Sequence, residues 1–164
     1  MPILDQRSLD FLSRSPEQTR RIGMRLGALL RPGDLVCLQG DLGAGKTTLA
    51  QGMAQGWGAF DAATSPTFVL VNVYRRADGG RFFHMDAYRI ESAPEGEELD
   101  LVAMLDEGPL LVEWAERVKS VLPSGRLWIN LEHAGEEQRQ LRFHAADKRY
   151  NVFLSDLRQM FGGD

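Results

Sequence analysis

The sequence predicts an α/β fold, in which helices flank a mixed parallel and antiparallel sheet within a single domain spanning residues 1–164. Two patterns predict this class. Early in the chain, continuous apolar strand segments alternate with apolar residues at helical spacing, which is typical of βαβ units. Later, pairs of β-forming segments are separated by short turns, which indicates hairpins. A length of 164 residues suits one hydrophobic core.

The first elements are marked by their ends as well as by their periodicity. Residues 9–12 are a short strand candidate. Ser15 then predicts the start of a helix, with Pro16 at the first helical position and Gln18 placed to complete a capping box. The sequence Arg-Pro-Gly-Asp at 31–34 ends this helix.

The next strand and helix carry the strongest apolar signals. Residues 35–39 form a continuous apolar strand of the kind that is buried on both faces of a sheet. The lone cysteine, Cys37, lies in this strand and is expected to be a buried small hydrophobic residue. After a glycine-rich loop, a second helix has one apolar face, formed by Leu49, Ala50, Met53, Ala54 and Trp57.

The remaining elements alternate turns with short β-forming segments. Residues 68–75 and 81–85 predict an antiparallel hairpin about the turn at 77–80. The later segments are, in order, a short helix around 99–105, a buried strand at 109–112 followed by Glu113, a hairpin of 127–131 with 140–143, and a closing amphipathic helix at 150–161.

Charge and hydropathy narrow the class of protein. The net charge of −4 opposes independent binding to nucleic acid, which depends on the release of phosphate counterions. We therefore expect any contact with RNA to run through a partner protein. No apolar run approaches the roughly 20 residues of a membrane span, and the first ten residues lack the apolar core of a signal peptide. A cytoplasmic protein without a membrane partner is expected.

A phosphate-binding motif occupies the predicted turn between the buried strand and the second helix. Residues 40–47, GDLGAGKT, match the P-loop pattern G-x-x-x-x-G-K-[ST] in full, and the strand-before, helix-after context is correct. Backbone N–H groups of such a loop surround phosphate oxygens, a lysine neutralises phosphate charge, and a threonine hydroxyl ligates magnesium. The motif predicts a P-loop NTPase domain that binds a nucleoside triphosphate and Mg²⁺ through Asp41, Leu42, Gly43, Ala44, Gly45, Lys46, Thr47 and Thr48.

Two carboxylates are candidates for the acid that a P-loop enzyme needs on a neighbouring strand. Asp86 follows the apolar segment 82–85, and Glu113 follows 110–112. Such an acid holds the metal ion or its water. The alternative for each residue, from its position alone, is a solvated carboxylate at the end of a strand.

Four motifs that follow one another along the chain narrow the protein family further: GDLGAGKTT at 40–48, SPTF at 65–68, HMDAYR at 84–89 and VEWAE at 112–116. Together they resemble the TsaE (YjeE) family of small bacterial P-loop ATPases, which support threonylcarbamoyladenosine modification of tRNA beside the anticodon. The similarity includes Thr19 and Gly23 in the first helix and extends to about Glu116. Met85, Ala87 and Ala115 depart from residues that are often larger, or proline, in relatives.

The resemblance implies roles for individual residues. Thr47 and Glu113 would be the magnesium ligands, Glu113 directly or through water. Lys46, Asp86 and Glu113 would be the catalytic residues, with Asp86 near the γ-phosphate, either as a second contact to metal-bound water or as the group that positions the attacking water. Thr67 would sense the γ-phosphate from a switch loop, although a turn threonine is the alternative. The partners implied are TsaD- and TsaB-type proteins.

Four residues that lie near these motifs in the sequence each have more than one possible role. Trp114 packs over the site or belongs to the core. His84 shares a strand face with Asp86 and would contact the site from behind, although a structural histidine is the more common case. Tyr88 and Arg89 hold the loop or contact a partner, and Arg89 is the best candidate for an arginine that acts on the phosphates.

Two other functions remain open at this point. A small-molecule kinase would use Arg75, Arg76 and Arg81 as a phosphate-binding lid, although an exposed hairpin tip is the simpler interpretation. A nucleotide-gated assembly factor would use binding without hydrolysis. GTPases and transporter ATPases are disfavoured because the chain has neither an Asn-Lys-x-Asp nor a Leu-Ser-Gly-Gly motif. Residues 15–19 and 134–138 are candidate walls for the adenine base.

Overall fold

One seven-stranded mixed sheet organises the chain. The computed structural model describes residues 7–41, 43–60, 71–88 and 101–162, with backbone alone for 161–162. The strands are β1 (Ser8–Ser13), β2 (Leu35–Gly40), β3 (Val71–Arg75), β4 (Arg81–Asp86), β5 (Leu110–Glu113), β6 (Leu127–His133) and β7 (Arg139–Ala145). Their order across the sheet is β1-β7-β6-β2-β5-β4-β3.

The sheet has a parallel centre and antiparallel edges. Strand β2 pairs in parallel with β5 and with β6, and β5 pairs in parallel with β4. The hairpins β3–β4 and β6–β7 are antiparallel, as is the β1–β7 pair. The predicted mixed α/β sheet and both predicted hairpins are therefore confirmed; residues 68–70 of the first hairpin lie outside the described residues.

Within the described residues, four α-helices flank the sheet: α1 (Pro16–Leu29), α2 (Lys46–Trp57), α3 (Leu101–Glu107) and α4 (Asn151–Gly162). The predicted start of α1 is confirmed, because Ser15 Oγ accepts a hydrogen bond from the Gln18 N–H at 3.1 Å. The Gln18 side chain accepts from the Arg14 N–H instead of the Ser15 N–H that a capping box requires. Helix α3 continues two residues beyond the predicted end at 105. Among the described residues, no helix is both long and apolar enough to cross a bilayer.

The side chains of β2 enter two cores, which explains its uninterrupted apolar run. Val36 and Leu38 pack with α1, α2 and α4 on one face of the sheet. Leu35 and Cys37 pack on the other face with α3 and the 3-10 turns that follow β5. Cys37 is fully buried, as predicted.

Glycines bring α1 and α2 into direct backbone contact. A methyl group added at Gly23 or Gly27 of α1 would collide with the carbonyl oxygens of Leu49 or Met53 in α2. Gly52 and Gly56 of α2 face backbone of α1 in the same way. Helix α2 begins at the P-loop, so this packing fixes the loop against the domain.

Candidate nucleotide-binding site

The predicted site residues converge at one edge of the sheet. The parallel strands β2, β4 and β5 all end there, and their carboxyl ends carry the P-loop, Asp86 and Glu113. Asp86 and Glu113 lie directly opposite each other in the register of β4 and β5. The two strand-end carboxylates are therefore neighbours, and they face the loop that follows Gly40.

The P-loop has the backbone that its glycines permit. Gly43 and Gly45 have φ angles of +79° and +99°, in the left-handed region that favours glycine. Gly40 is required for space, since an added methyl group there would collide with the carbonyl oxygen of Leu131 on β6. Ala44 is buried, whereas Asp41 and Thr47 are exposed. Leu42 lies outside the described residues.

Lys46 is the first residue of α2 and lies at the base of the loop. Its Nζ donates a hydrogen bond to the Gly40 carbonyl oxygen at 2.6 Å and lies 3.9 Å from the centre of the Trp114 ring. Burial lowers the pKa of Lys46, and the carboxylates of Glu113, Glu116, Asp86 and Asp41 oppose this shift. The ammonium group is thus held in the site, where phosphate oxygens can replace a carbonyl as its acceptor.

Trp114 is turned over Lys46 by an unusual backbone. Within the described residues it is the one non-glycine residue with positive φ, at φ 57° and ψ 39°. Such a conformation costs on the order of 1–3 kcal/mol and concentrates at functional sites. Trp114 packs over Lys46 and also against the core that contains Leu35 and Cys37, so both alternatives for it hold. Its ring also meets the Tyr88 ring, with centroids 4.9 Å apart.

The two carboxylates have different partners. Asp86 Oδ1 accepts a hydrogen bond from the Tyr88 N–H at 2.9 Å. Burial raises the pKa of Asp86, and the nearby Glu113 adds to the rise. Glu113 is 5% exposed, and its Oε2 lies 2.8 Å from Nε2 of His84. Two ionised carboxylates that lie this close repel each other, and a cation bound between them would reduce that repulsion.

One cavity of about 290 Å³ joins these groups. Lys46, Asp86, Glu113 and Trp114 line it together with residues of the P-loop and of two more distant segments: Gly43, Gly45, Thr47, Thr48, Pro16, Thr19, Glu137 and Arg139. Pro16 and Thr19 belong to the first candidate base wall and Glu137 to the second, so both segments reach the cavity. Thr67 and Arg89 lie outside the described residues, and their proposed roles stay predictions.

Arg139 is a cavity residue that the sequence did not single out. It lies at the start of β7, and its Nη2 donates to the Gly43 carbonyl oxygen at 3.2 Å. Its Nη1 donates to the carbonyl oxygens of Gly135, Glu136 and Gln138 in the β6–β7 turn. One guanidinium therefore ties the P-loop to the turn. No local signal in the sequence marks this arginine, because its partners are carbonyl groups set by the fold.

The oxygen ligands present are suited to magnesium. The described residues contain no cluster of three or more His, Cys, Asp or Glu side chains that could hold a metal by themselves. Magnesium in nucleotide sites needs no such cluster, since one or two protein oxygens, waters and substrate phosphates complete its shell. Thr47 and Glu113 line the same cavity and offer a hydroxyl and a carboxylate.

The arginines of the first hairpin are remote from the cavity. Arg75 and Arg81 are paired at the end of β3–β4 opposite to Asp86. Five residues of strand separate Arg81 from Asp86, which is about 17 Å at 3.3 Å per residue. Arg81 forms an ion pair with Glu107, and Arg76 packs on the Trp57 ring. The exposed-tip interpretation is supported over the kinase lid.

Comparisons with known proteins agree on one family. The family model described as threonylcarbamoyl adenosine biosynthesis protein TsaE matches residues 13–141. The tRNA threonylcarbamoyladenosine biosynthesis protein TsaE of Bacillus subtilis is 39% identical over 153 residues, covering 92% of this chain and 94% of the relative. TsaE of Streptomyces coelicolor is 45% identical over 117 residues, covering 70% and 79%. A crystal structure of Bacillus subtilis YdiB matches with a TM-score of 0.76 and 35% identity, covering 93% and 95%.

Proposed function

Because the chain belongs to the TsaE family of threonylcarbamoyl adenosine biosynthesis proteins, we propose that it is an Mg²⁺-dependent ATPase required for threonylcarbamoyladenosine modification of tRNA beside the anticodon. One observation carries the proposal: the P-loop, Lys46, Asp86 and Glu113 line a single cavity at the carboxyl edge of the sheet. We further propose that the protein acts in the cytoplasm as a single domain, with TsaD- and TsaB-type partners, and meets tRNA only through them.

The phosphate chain of ATP would lie in the P-loop. Backbone N–H groups of the loop and the positive end of α2 would bind it, and Lys46 would exchange the Gly40 carbonyl for β- and γ-phosphate oxygens. The exchange is favourable because a hydrogen bond between two charged groups is stronger than one to a neutral carbonyl. Asp41, Leu42 and Thr67 complete the proposed contacts with nucleotide.

The chemistry proposed is attack of water on the γ-phosphate. Thr47 and Glu113 would hold a magnesium ion, which when bound stabilises the charge that develops on the phosphate oxygens. Asp86 lies opposite Glu113 and would orient the attacking water through its carboxylate. Lys46 would neutralise charge on the oxygens of the transferred group. Hydrolysis by the protein alone should be slow, and partners would stimulate it.

The base would lie between the two segments that complete the cavity. Pro16 and Thr19 at the start of α1 form one side, and Glu137 of the β6–β7 turn forms the other. Arg139 connects this turn to the P-loop carbonyl of Gly43. A shift of the turn on binding a base would therefore reach the loop that holds the phosphates.

The nucleotide-gated assembly factor is the alternative that requires a separate experiment. Glu113→Gln keeps the shape of the side chain and removes its charge. We expect this variant to bind ATP, lose hydrolysis and fail to support tRNA modification. If it binds ATP without hydrolysing it and modification proceeds at the wild-type rate, hydrolysis is not the function. A pull-down from the host in ATP and in ADP, examined for TsaD- and TsaB-type proteins, tests the proposed partners.

A further inference from the structure

A buried chain of three polar side chains leads away from the proposed magnesium site. The Tyr74 hydroxyl lies 3.1 Å from Nδ1 of His84, and Nε2 of His84 lies 2.8 Å from Oε2 of Glu113. The side chains of His84 and Glu113 are 1% and 6% exposed. The three residues come from β3, β4 and β5, which are neighbours in the sheet.

The chemistry of these groups sets the direction of the hydrogen bonds. An ionised carboxylate only accepts, so Nε2 of His84 carries the proton and donates it to Glu113. With Nε2 protonated in the neutral ring, Nδ1 accepts from the Tyr74 hydroxyl. In this tautomer the Tyr74 hydroxyl donates to Nδ1, so Tyr74 favours the form of His84 that donates to Glu113.

We propose that His84 is a positioning residue that holds Oε2 of Glu113 and presents the other carboxylate oxygen, Oε1, to magnesium. This inference rests on the proposed function, in which Glu113 is a magnesium ligand. Groups that hydrogen-bond a metal ligand from behind fix its orientation, and their loss typically lowers metal affinity or activity about 10- to 100-fold. Glutamate needs such support because its long side chain has several rotamers.

The position of His84 explains why this role falls to a strand residue. Strand β4 presents His84 and Asp86 on the same face, two residues apart. Asp86 reaches the cavity, whereas His84 is buried one step behind it and reaches sideways to β5. The strand thus supplies one carboxylate directly and supports the second through an imidazole.

The test compares magnesium dependence with nucleotide binding in the absence of the metal. In His84→Leu the ring is replaced by an apolar side chain, and in His84→Gln an amide N–H can still donate to Glu113. The variant His144→Leu is the matched control, because His144 is an exposed histidine on β7. Calorimetry would give the ATP affinity in EDTA and the Mg²⁺ concentration for half-maximal tightening of ATP binding.

We expect His84→Leu to raise the required Mg²⁺ concentration about 10- to 100-fold. Its ATP affinity in EDTA should stay within about twofold of wild type, since the P-loop and Lys46 are unchanged. The Mg²⁺ concentration required by His84→Gln should lie close to that of wild type, and that of Tyr74→Phe should lie between those of wild type and His84→Leu. The His144→Leu variant should match wild type. A purely structural histidine would instead lower the thermal midpoint without changing the magnesium requirement.

Three results would overturn the inference. They are an unchanged magnesium requirement in His84→Leu, an equal loss of ATP affinity with and without magnesium, and a His84→Gln variant as impaired as His84→Leu. If His84→Leu does not fold, the comparison of His84→Gln and Tyr74→Phe with wild type decides, and a wild-type response in Tyr74→Phe counts against the proposal. Failure of the proposed function is distinguishable, because wild-type protein would then release no phosphate from ATP, whatever its magnesium-dependent tightening of ATP binding.

Discussion

Replacing Lys46 by alanine tests the phosphate site most directly. Two opposing effects set the expected loss of ATP affinity. A charge pair about 4 Å apart near a protein surface is worth roughly 4 kcal/mol at an effective dielectric constant of about 20. In exchange, wild-type Lys46 gives up its hydrogen bond to the Gly40 carbonyl oxygen. A hydrogen bond from a charged group is worth about 1.5–3 kcal/mol.

The difference predicts that Lys46→Ala loses about 1–2.5 kcal/mol of binding free energy, which is roughly a 5- to 70-fold rise in the dissociation constant. Titration calorimetry with ATP and Mg²⁺ measures it. Lys119→Ala is a matched control, because Lys119 lies over another indole ring, that of Trp128, outside the cavity. An ATP affinity within threefold of wild type in a folded Lys46→Ala would refute the assignment of this loop as the phosphate site.

Three further predictions concern the carboxylates, the helix contact and the buried thiol. Asp86→Ala and Glu113→Ala should each keep the fold but lose Mg²⁺-dependent hydrolysis by at least about 100-fold, as for other groups that act on the transition state; a wild-type rate of phosphate release in either would remove that residue from the mechanism. Gly27→Ala should destabilise the protein by about 1–3 kcal/mol in urea unfolding, because the added methyl group meets the backbone of α2, whereas Gln55→Ala on the exposed side of α2 should change stability little. Burial raises the pKa of the Cys37 thiol to about 12, so the native protein should resist iodoacetamide at pH 8.5 and react in urea. Since the unfolded thiol ionises at lower pH, stability due to Cys37 is complete below about pH 8.5 and falls as the pH rises towards 12; rapid labelling of the folded protein would contradict this.

The elements of the fold that the sequence predicted well are those with local causes. The continuous apolar run at 35–39 predicted a strand buried on both faces of the sheet. In the structure, alternate side chains of β2 do pack into separate cores on the two faces. The P-loop was predictable because its glycines, lysine and threonine act within eight consecutive residues. The strand-end positions of Asp86 and Glu113 followed from apolar segments that stop at a carboxylate.

The features of the site that the sequence missed or left open depend on contacts between distant segments. His84 and Glu113 are separated by 29 residues in the chain, and only the register of β4 and β5 brings them together. Arg139 meets Gly43 across 96 residues, through backbone carbonyls that carry no sequence signal. The left-handed backbone conformation of Trp114 is energetically unfavourable for a non-glycine residue. Sequence propensities therefore do not predict it, and it is seen only in the folded structure.

The charge distribution of the cavity argues that ATP and magnesium bind as a linked pair. Three carboxylates line the cavity, those of Asp86, Glu113 and Glu137, against two cationic side chains, Lys46 and Arg139. The carboxylates attract a divalent cation and oppose a bare polyphosphate, which carries several negative charges of its own. A bound cation offsets the carboxylates that the phosphates meet, and bound phosphates add negative charge that attracts the cation, so each must raise the affinity of the other by the same factor. The same excess of carboxylates explains why the orientation of Glu113 matters, because an oxygen turned away from the cation would leave its negative charge facing the phosphates.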